Sequence, residues 1–415
     1  MLKNTVELSK CILLFLFLSA LFISTNAQKH LSCAGSLQIR KPHDLEALQS
    51  CTTYRGVISI SSLAITNLAF PNLRNLDGII SINNNENLRY LSFPRLKSAI
   101  RIYVVNQTLL NTVEFPSIQK VVSLTFRKLP LLTSLNFPAR LSEIESFEAT
   151  DTGITNLNGL DVRSAKDLKI AENRNLLNLR LQNLRDAGEF FFSGNGNGRI
   201  EVPNLVSLRD LTIRNVGFAD LPKLETVSND VVINENSFSS FTIPKLCSIS
   251  GTLTVHSNAL ESFCFPELQN VGGAILVSSN LNLNVISGFP KLRQVNEAID
   301  ITGSFSELKL PGLQEVRGGL NVISSSKKFW CKKLDPLKDV VKGEIFVCKS
   351  GVKDPKALFA EKKKTEIMTS NNGTVNGNNN ISATNAEKTS NADGVSVRFE
   401  SLILGFVAVS MMFLS

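Results

Sequence analysis

The stretch LQNVGGAILVSSNLNLNVISGFPKL, residues 268–292, decides the fold. It alternates apolar side chains at Ile275 and Val277, places an asparagine at Asn280, and closes on Phe289-Pro290-Lys291-Leu292. The closing phrase recurs about every 22 residues, at Phe70-Pro71-Asn72-Leu73, Phe93-Pro94-Arg95-Leu96, Phe115-Pro116-Ser117-Ile118 and Phe265-Pro266-Glu267-Leu268. Looser copies stand at Phe137-Pro138, Val202-Pro203, Leu221-Pro222, Ile243-Pro244 and Leu310-Pro311. Two degenerate turns fill the gap between Pro138 and Pro203, with Asp161 and Gln182 in the proline slot. The reading gives twelve turns.

A second element precedes the phrase in each turn: apolar, any, apolar, any, any, Asn. It ends at Asn85, Asn173, Asn195, Asn236, Asn258 and Asn280, while Asn106, Asp151 and Asn215 come one residue early. Alternation over three to five residues is a strand with one buried face. No turn offers the ten or so residues of 3.6 period that a helix needs. The pattern therefore predicts an all-β, right-handed parallel β-solenoid of about 12 turns of ~22 residues, each turn burying its apolar face only by stacking on its neighbours. At roughly 4.8 Å per layer the stack is on the order of 60 Å long. Proline, lacking an N–H, is confined to the first residue of a strand or to a bend, which suits the start of a Pro-x-Leu strand in each turn. Asparagine tolerates left-handed backbone, and asparagines at equivalent places in successive layers can form amide ladders. The leucine-rich-repeat horseshoe is the alternative fold, because Leu168-Lys169-Ile170-Ala171-Glu172-Asn173 matches its core motif.

The ends of such a stack need covers. His43-Asp44-Leu45-Glu46-Ala47-Leu48-Gln49 reads as a short helical N-cap with Asp44 as capping residue, bracketed by Cys33 and Cys51. Cys331 and Cys348 bracket the other end. Of seven cysteines, Cys11 falls in the leader described next; the other six form three sequence-local pairs, Cys33–Cys51, Cys247–Cys264 and Cys331–Cys348. Six cysteines allow 15 connectivities, and the wide separation between pairs favours local bonding. The central pair is expected to staple adjacent layers.

Residues 1–27 carry Lys3 and Lys10 before an apolar run from Cys11 to Ile23 and end in Thr25-Asn26-Ala27. This is the form of a secretory signal, and it implies an oxidising destination. A second apolar run, Leu402–Leu414, follows the small residues Ser390-Asn391-Ala392 and a polar spacer. Small triplet, spacer and terminal tail form a glycosylphosphatidylinositol (GPI) attachment signal over 392–415. Asn391 is the attachment candidate, with Ser390 or Gly394 as alternatives. Residues 351–391 are dominated by Asn, Thr, Ser, Gly and Lys, a composition that reads as a disordered stalk suited to O-glycosylation. Sequons mark Asn106 in the body and Asn372 and Asn380 in the stalk as N-glycosylation candidates.

The formal charge is +8. Loss of both processed ends removes three basic and three acidic residues and leaves it unchanged. A basic chain inside a cell would suggest nucleic acid; with a secretory signal that partner is not expected. The three histidines, His30, His43 and His256, stand apart, and no CxxC or Cys/His cluster suggests a metal. No cofactor is expected.

The capped array as a whole is similar to the fungal GPI-anchored cell-wall organisation and sporulation-specific proteins, built from receptor L-domain-like repeats. The matching residues run from Cys33-Ala34-Gly35-Ser36 through Asp44-Leu45-Glu46-Ala47-Leu48 to Cys51, then the strand after Gly56, the Phe-Pro-x-Leu turns, and Lys342-Gly343 with Cys348. The resemblance spans about 33–350. It implies a non-enzymatic surface protein needed for cell-wall integrity, held at the outer leaflet through GPI or transferred to the wall, with wall polysaccharide or wall proteins as partners. The proline-less turns and the Asn- and Lys-rich stalk depart from the pattern, and leave open one continuous array or two halves, about 33–190 and 191–348.

Two other functions compete. A polysaccharide-active β-helix enzyme needs carboxylates converging from neighbouring layers; the best cluster is Glu143, Glu145, Glu148 and Asp151, opposite Lys166 and Leu168 in the alignment of turns. A glycan- or peptide-binding receptor would use exposed aromatics, for which Tyr90 and Tyr103 are the candidates.

Overall fold

The computed structural model describes residues 33–353 except Leu177. The signal region, Asn372, Asn380, Asn391 with the rest of the stalk from residue 354, and the 392–415 segment lie outside the described residues. Residues 33–353 form one parallel β-solenoid. Its long sheet begins with Ala34–Ile39 and steps in order through Thr53–Ser61, Asn75–Asn83, Ser98–Val105, Lys120–Leu129, Glu143–Thr152, Ser164–Ala171, Asp186–Ser193 and Ser207–Arg214. Beyond Arg214 each rung splits into two short strands, beginning with Thr226–Val227 and Val231–Asn234, until Phe346–Lys349 closes the sheet. Pairing is parallel and continuous, including across residues 190 and 191, where Asp186–Ser193 pairs with Ser207–Arg214. The stack makes about fourteen turns. Twelve were read from the proline phrase because the first and last rungs carry no copy of it.

Register explains the repeat. Ile58, Ile80, Ile102, Leu124, Phe147, Leu168, Phe190 and Leu211 form one buried column, and Ile60, Ile82, Val104, Phe126, Ala149, Ile170, Phe192 and Ile213 a second. Alternate side chains between them face outward, as a two-residue period requires. Short strands on another face, such as Asn67–Ala69, Tyr90–Ser92 and Thr112–Glu114, pair in parallel and complete each turn.

The Phe-Pro-x-Leu phrase forms the corner between the two faces. Instead of starting a strand, proline is the second residue of a four-residue turn. The turn is closed by the leucine N–H donating to the phenylalanine carbonyl, at 3.4 Å for Leu96 and 3.2 Å for Leu268. Proline favours that position because its ring presets φ. The phenylalanines stack inside: Phe70 on Phe93 at 4.7 Å, Phe93 on Phe115 at 5.0 Å, and Phe265 on Phe289 at 5.9 Å between ring centroids.

At the opposite corner, ten residues adopt left-handed backbone with φ between 51° and 59°: Ser62, Asn84, Asn106, Lys128, Asp151, Glu172, Asn215, Glu235, Ser257 and Ser279. The buried asparagine is the residue after the left-handed one. This accounts for the apparent slippage at Asn106, Asp151 and Asn215, which occupy the left-handed position and leave Gln107, Thr152 and Val216 in the buried one.

The N-terminal cover is a 3-10 turn, Pro42–Leu45, running into Glu46–Gln49. Lys41, rather than Asp44, holds the capping position. Asp44 reaches back to accept the backbone N–H groups of Arg40 and Lys41, both at 3.0 Å, and these bonds hold its carboxyl below the ordinary range. Cys33 is bonded to Cys51 and Cys331 to Cys348. Cys247 and Cys264, expected to pair, are free thiols. The reason is positional: Cys247 follows the corner and lies between Glu225 and Gln269 on the long-sheet side, whereas Cys264 ends Ser262–Cys264 on the short-strand face, beside Thr242. Burial raises the Cys264 thiol above its ordinary value.

Candidate functional site

The asparagine column is buried and internally bonded. Asn258 Nδ2 donates to the Ile233 carbonyl at 3.0 Å, and its backbone N–H donates to Asn280 Oδ1 at 2.9 Å. Its own Oδ1 accepts the N–H of Asn236 at 3.0 Å. One carboxamide thus ties three successive turns. Asn173 and Asn195 repeat the arrangement, and Asn85 joins Gln107. Val216, with no amide to offer, separates the Asn173–Asn195 pair from the Asn236–Asn258–Asn280 run.

The carboxylate cluster does not converge. Glu143 pairs with Lys120 at 2.6 Å, and Glu148 with Arg127 at 2.7 Å and Lys169 at 3.7 Å. Asp151 stands in the left-handed bend. The neighbouring turn is also registered differently from the alignment read in the sequence: Leu168 pairs with Phe147 and Asp167 with Ser146. The tyrosines are separated too. Tyr103 is on the long sheet, while Tyr90 is on the short-strand face with its hydroxyl donating to Glu114. Asn106 is exposed at its bend, its amide beside that of Asn84. Among the described residues no helix is long and apolar enough to cross a membrane.

What the repeat pattern marked only as a lapse, the proline-less turns, is where a cavity forms. Two buried residues flank each corner: Leu181 and Leu184 around Gln182-Asn183, but Leu160 and Val162 around Asp161 alone. The Asp161 turn is therefore one residue short. The turn before it compensates by bulging, since Asn158 pairs with Asn136 but Leu160 with Leu141, leaving Phe137–Arg140 opposite Gly159. Asp161 holds this junction: its N–H donates to the Leu141 carbonyl at 2.9 Å, and its carboxylate accepts Asn183 Nδ2 and lies 3.5 Å from Arg140 Nη1. The resulting cavity of about 680 Å³ is lined by Ser142, Asp161, Arg163, Asn183, Arg185, Asn204, Val206 and Lys223. None of these was singled out as a site in the sequence except Asp161, as a missing proline.

A stack of parallel turns with disulfide-bracketed covers at both ends, and with no convex helix between strands, is a capped parallel β-solenoid rather than a leucine-rich-repeat horseshoe. Comparison places this solenoid among known proteins. The chain is 30% identical to Protein ecm33 of Aspergillus fumigatus over 325 residues, 77% of this chain and 81% of that one. It is 30% identical to a cell surface GPI-anchored protein of Arthroderma benhamiae over 329 residues, 78% and 84% of the two chains. Sporulation-specific protein 2 of Saccharomyces cerevisiae matches at 27% over 331 residues, 78% of this chain and 64% of the relative. The chain belongs to this ecm33 and sporulation-specific family of fungal surface proteins. Neither a family model nor a solved structure matches it.

Proposed function

We propose that the chain is a non-enzymatic protein of the fungal cell surface, anchored through GPI at Asn391 and required for cell-wall organisation and integrity. Membership of the family carries the reading, because relatives bear the names cell surface GPI-anchored protein and cell wall protein ecm33. The attachment pattern around Ser390-Asn391-Ala392 and the leader over residues 1–27 point to the same destination. The absence of catalysis is supported by the pairing of Glu143 and Glu148 with cations from neighbouring turns. A general acid–base pair needs its carboxylates facing a common substrate. Its partners in this reading are the outer leaflet, through the lipid, and wall polysaccharide or wall proteins; carbohydrate on Asn106 and on the stalk would keep the body hydrated.

Release from intact cells tests the anchor. Phosphatidylinositol-specific phospholipase C or glucanase is expected to free a chain whose C-terminal peptide ends at Asn391 by mass spectrometry. A released chain that retains 402–415 would sink the anchor. Deletion in the producing fungus is expected to sensitise the wall to glucan-binding dyes; unchanged resistance would remove the wall role.

A further inference from the structure

The short Asp161 turn has a chemical consequence. In neighbouring turns the corner is occupied by the residue after the proline slot: Asn183, Asn204 and Lys223. The Asp161 turn has no such residue, so the space opens against Arg163 and Arg185. Their backbones are consecutive in the stack, the Arg185 N–H donating to the Arg163 carbonyl at 2.8 Å, which starts the two guanidinium groups from positions about 4.8 Å apart. Both side chains are exposed, and among the described residues neither has an ion-pair partner. Lys223 adds a third cation, with one bond, 2.7 Å, to Asn204 Oδ1. The single carboxylate of the lining, Asp161, is already engaged by Asn183 and Arg140.

Three cations around a volume of about 680 Å³ suit a small anion with several terminal oxygens. Guanidinium forks bind phosphate through paired hydrogen bonds, and a phosphate monoester carries nearly two negative charges at neutral pH. The volume exceeds what a free phosphate fills and is within the range of about 300–1,000 Å³ typical of small-molecule sites. The remainder of the lining is Ser142, Asn183 and Asn204 with one apolar residue, Val206, a surface of hydroxyl and amide groups that matches a polyhydroxylated ligand.

We propose that this corner cavity is a binding site for a phosphorylated sugar, with Arg163 and Arg185 holding the phosphate and Asn183 and Asn204 the sugar hydroxyls. The column that carries these arginines also holds Arg74 and Lys97. There the corner is filled by Asn72 and Arg95, themselves hydrogen-bonded at 3.3 Å, which supplies an internal control.

Calorimetric titration of the purified full chain at low salt with the 6-phosphates of glucose, mannose and galactose, with the same hexoses unphosphorylated, and with inorganic phosphate tests the assignment. At least one sugar phosphate is expected to bind, and Arg163→Ala and Arg185→Ala each to weaken it tenfold or more. Arg74→Ala should leave binding unchanged. All three arginines are exposed, so the variants should keep the parent melting temperature, which is measured alongside. Failure of all three sugar phosphates to bind, or binding undiminished in Arg163→Ala and Arg185→Ala, would overturn the site. Inorganic phosphate binding as tightly as the sugar phosphates would overturn the sugar half, and unphosphorylated hexose binding equally well would overturn the phosphate half. The anchor plays no part in any arm, so the outcome is independent of the surface reading.

Discussion

The turns from Phe70 to Phe115 and the turns at Asp161 and Gln182 solve the same problem differently. In the first region stacked rings fill the interior and a proline pins each corner. In the second, aliphatic Leu160 and Leu181 take the ring position and the corner holds no proline, yet the interior stays buried, at 7% exposure for Leu160, 2% for Leu181 and 1% or less for Val162 and Leu184. Core and corner are therefore separable in this fold. The inner columns demand only apolar volume at two-residue spacing, whereas the corner is free to lose a residue and become a cavity.

The largest effect should come from breaking the ring stack. Phe93 is fully buried between Phe70 and Phe115, and Phe93→Ala is expected to cost about 4 kcal/mol in urea unfolding. Leu181→Ala, at the corresponding place in the aliphatic region, should cost about 3 kcal/mol. Equal losses would mean that stacking adds nothing beyond buried volume. Next comes the amide ladder: Asn258→Ala strands the buried Asn236 N–H and removes the side-chain donor to the Ile233 carbonyl, for an expected loss of about 2 kcal/mol. A loss under half of that would place water in the ladder.

The repeat period and the alternating strands were legible in the sequence because each is a local pattern with a steric cause; the proline phrase was legible as a repeat but read as the start of a strand, where the structure makes it a corner. The position of the ladder was readable only to within one residue. Asn106, Asp151 and Asn215 can serve in the left-handed bend as well as their neighbours can in the buried position, and composition does not separate the two. The cysteine pairing at 247 and 264 failed for a related reason: eighteen residues or fewer bracket one cover segment at Cys33–Cys51 and at Cys331–Cys348, but the same spacing mid-array spans a corner and ends on different faces. The cavity was invisible because it depends on register, set by the bulge at Phe137–Arg140 together with the missing residue at Asp161.

The outward face gives a contrast in charge between central and C-terminal rungs. Glu148 is held by Arg127 and Lys169, but its counterpart Asp300 stands between Leu276 and Asn321, where burial pushes its carboxyl up to about 6 against one hydrogen bond from Asn321. A folded pKa above the unfolded value means that the native state binds more protons, so stability falls as pH rises from about 4 through about 6. Asp300→Asn is expected to flatten that decline and to raise stability at pH 7 by about 2 kcal/mol, with no difference at pH 3. An unchanged pH profile of urea midpoints would show that Asp300 is solvated.

The smallest effect is the most telling for the corners. Gln182 occupies the proline position of a turn with the usual two-residue corner, and among the described residues its N–H makes no backbone bond. Gln182→Pro should therefore be accepted, raising stability by about 0.5 kcal/mol through the unfolded chain. Asp161→Pro is the opposite case at the adjacent turn. It removes the N–H that donates to Leu141 and the carboxylate that holds Asn183 and Arg140, and should cost about 2 kcal/mol. Opposite signs at the two positions would show that proline is missing for different reasons, at Asp161 because the short turn needs the N–H and at Gln182 because nothing there requires it. Equal and unfavourable effects would instead mean that both corners are built around their non-proline residues, and the cavity would then owe its shape to the Gln182 turn as well.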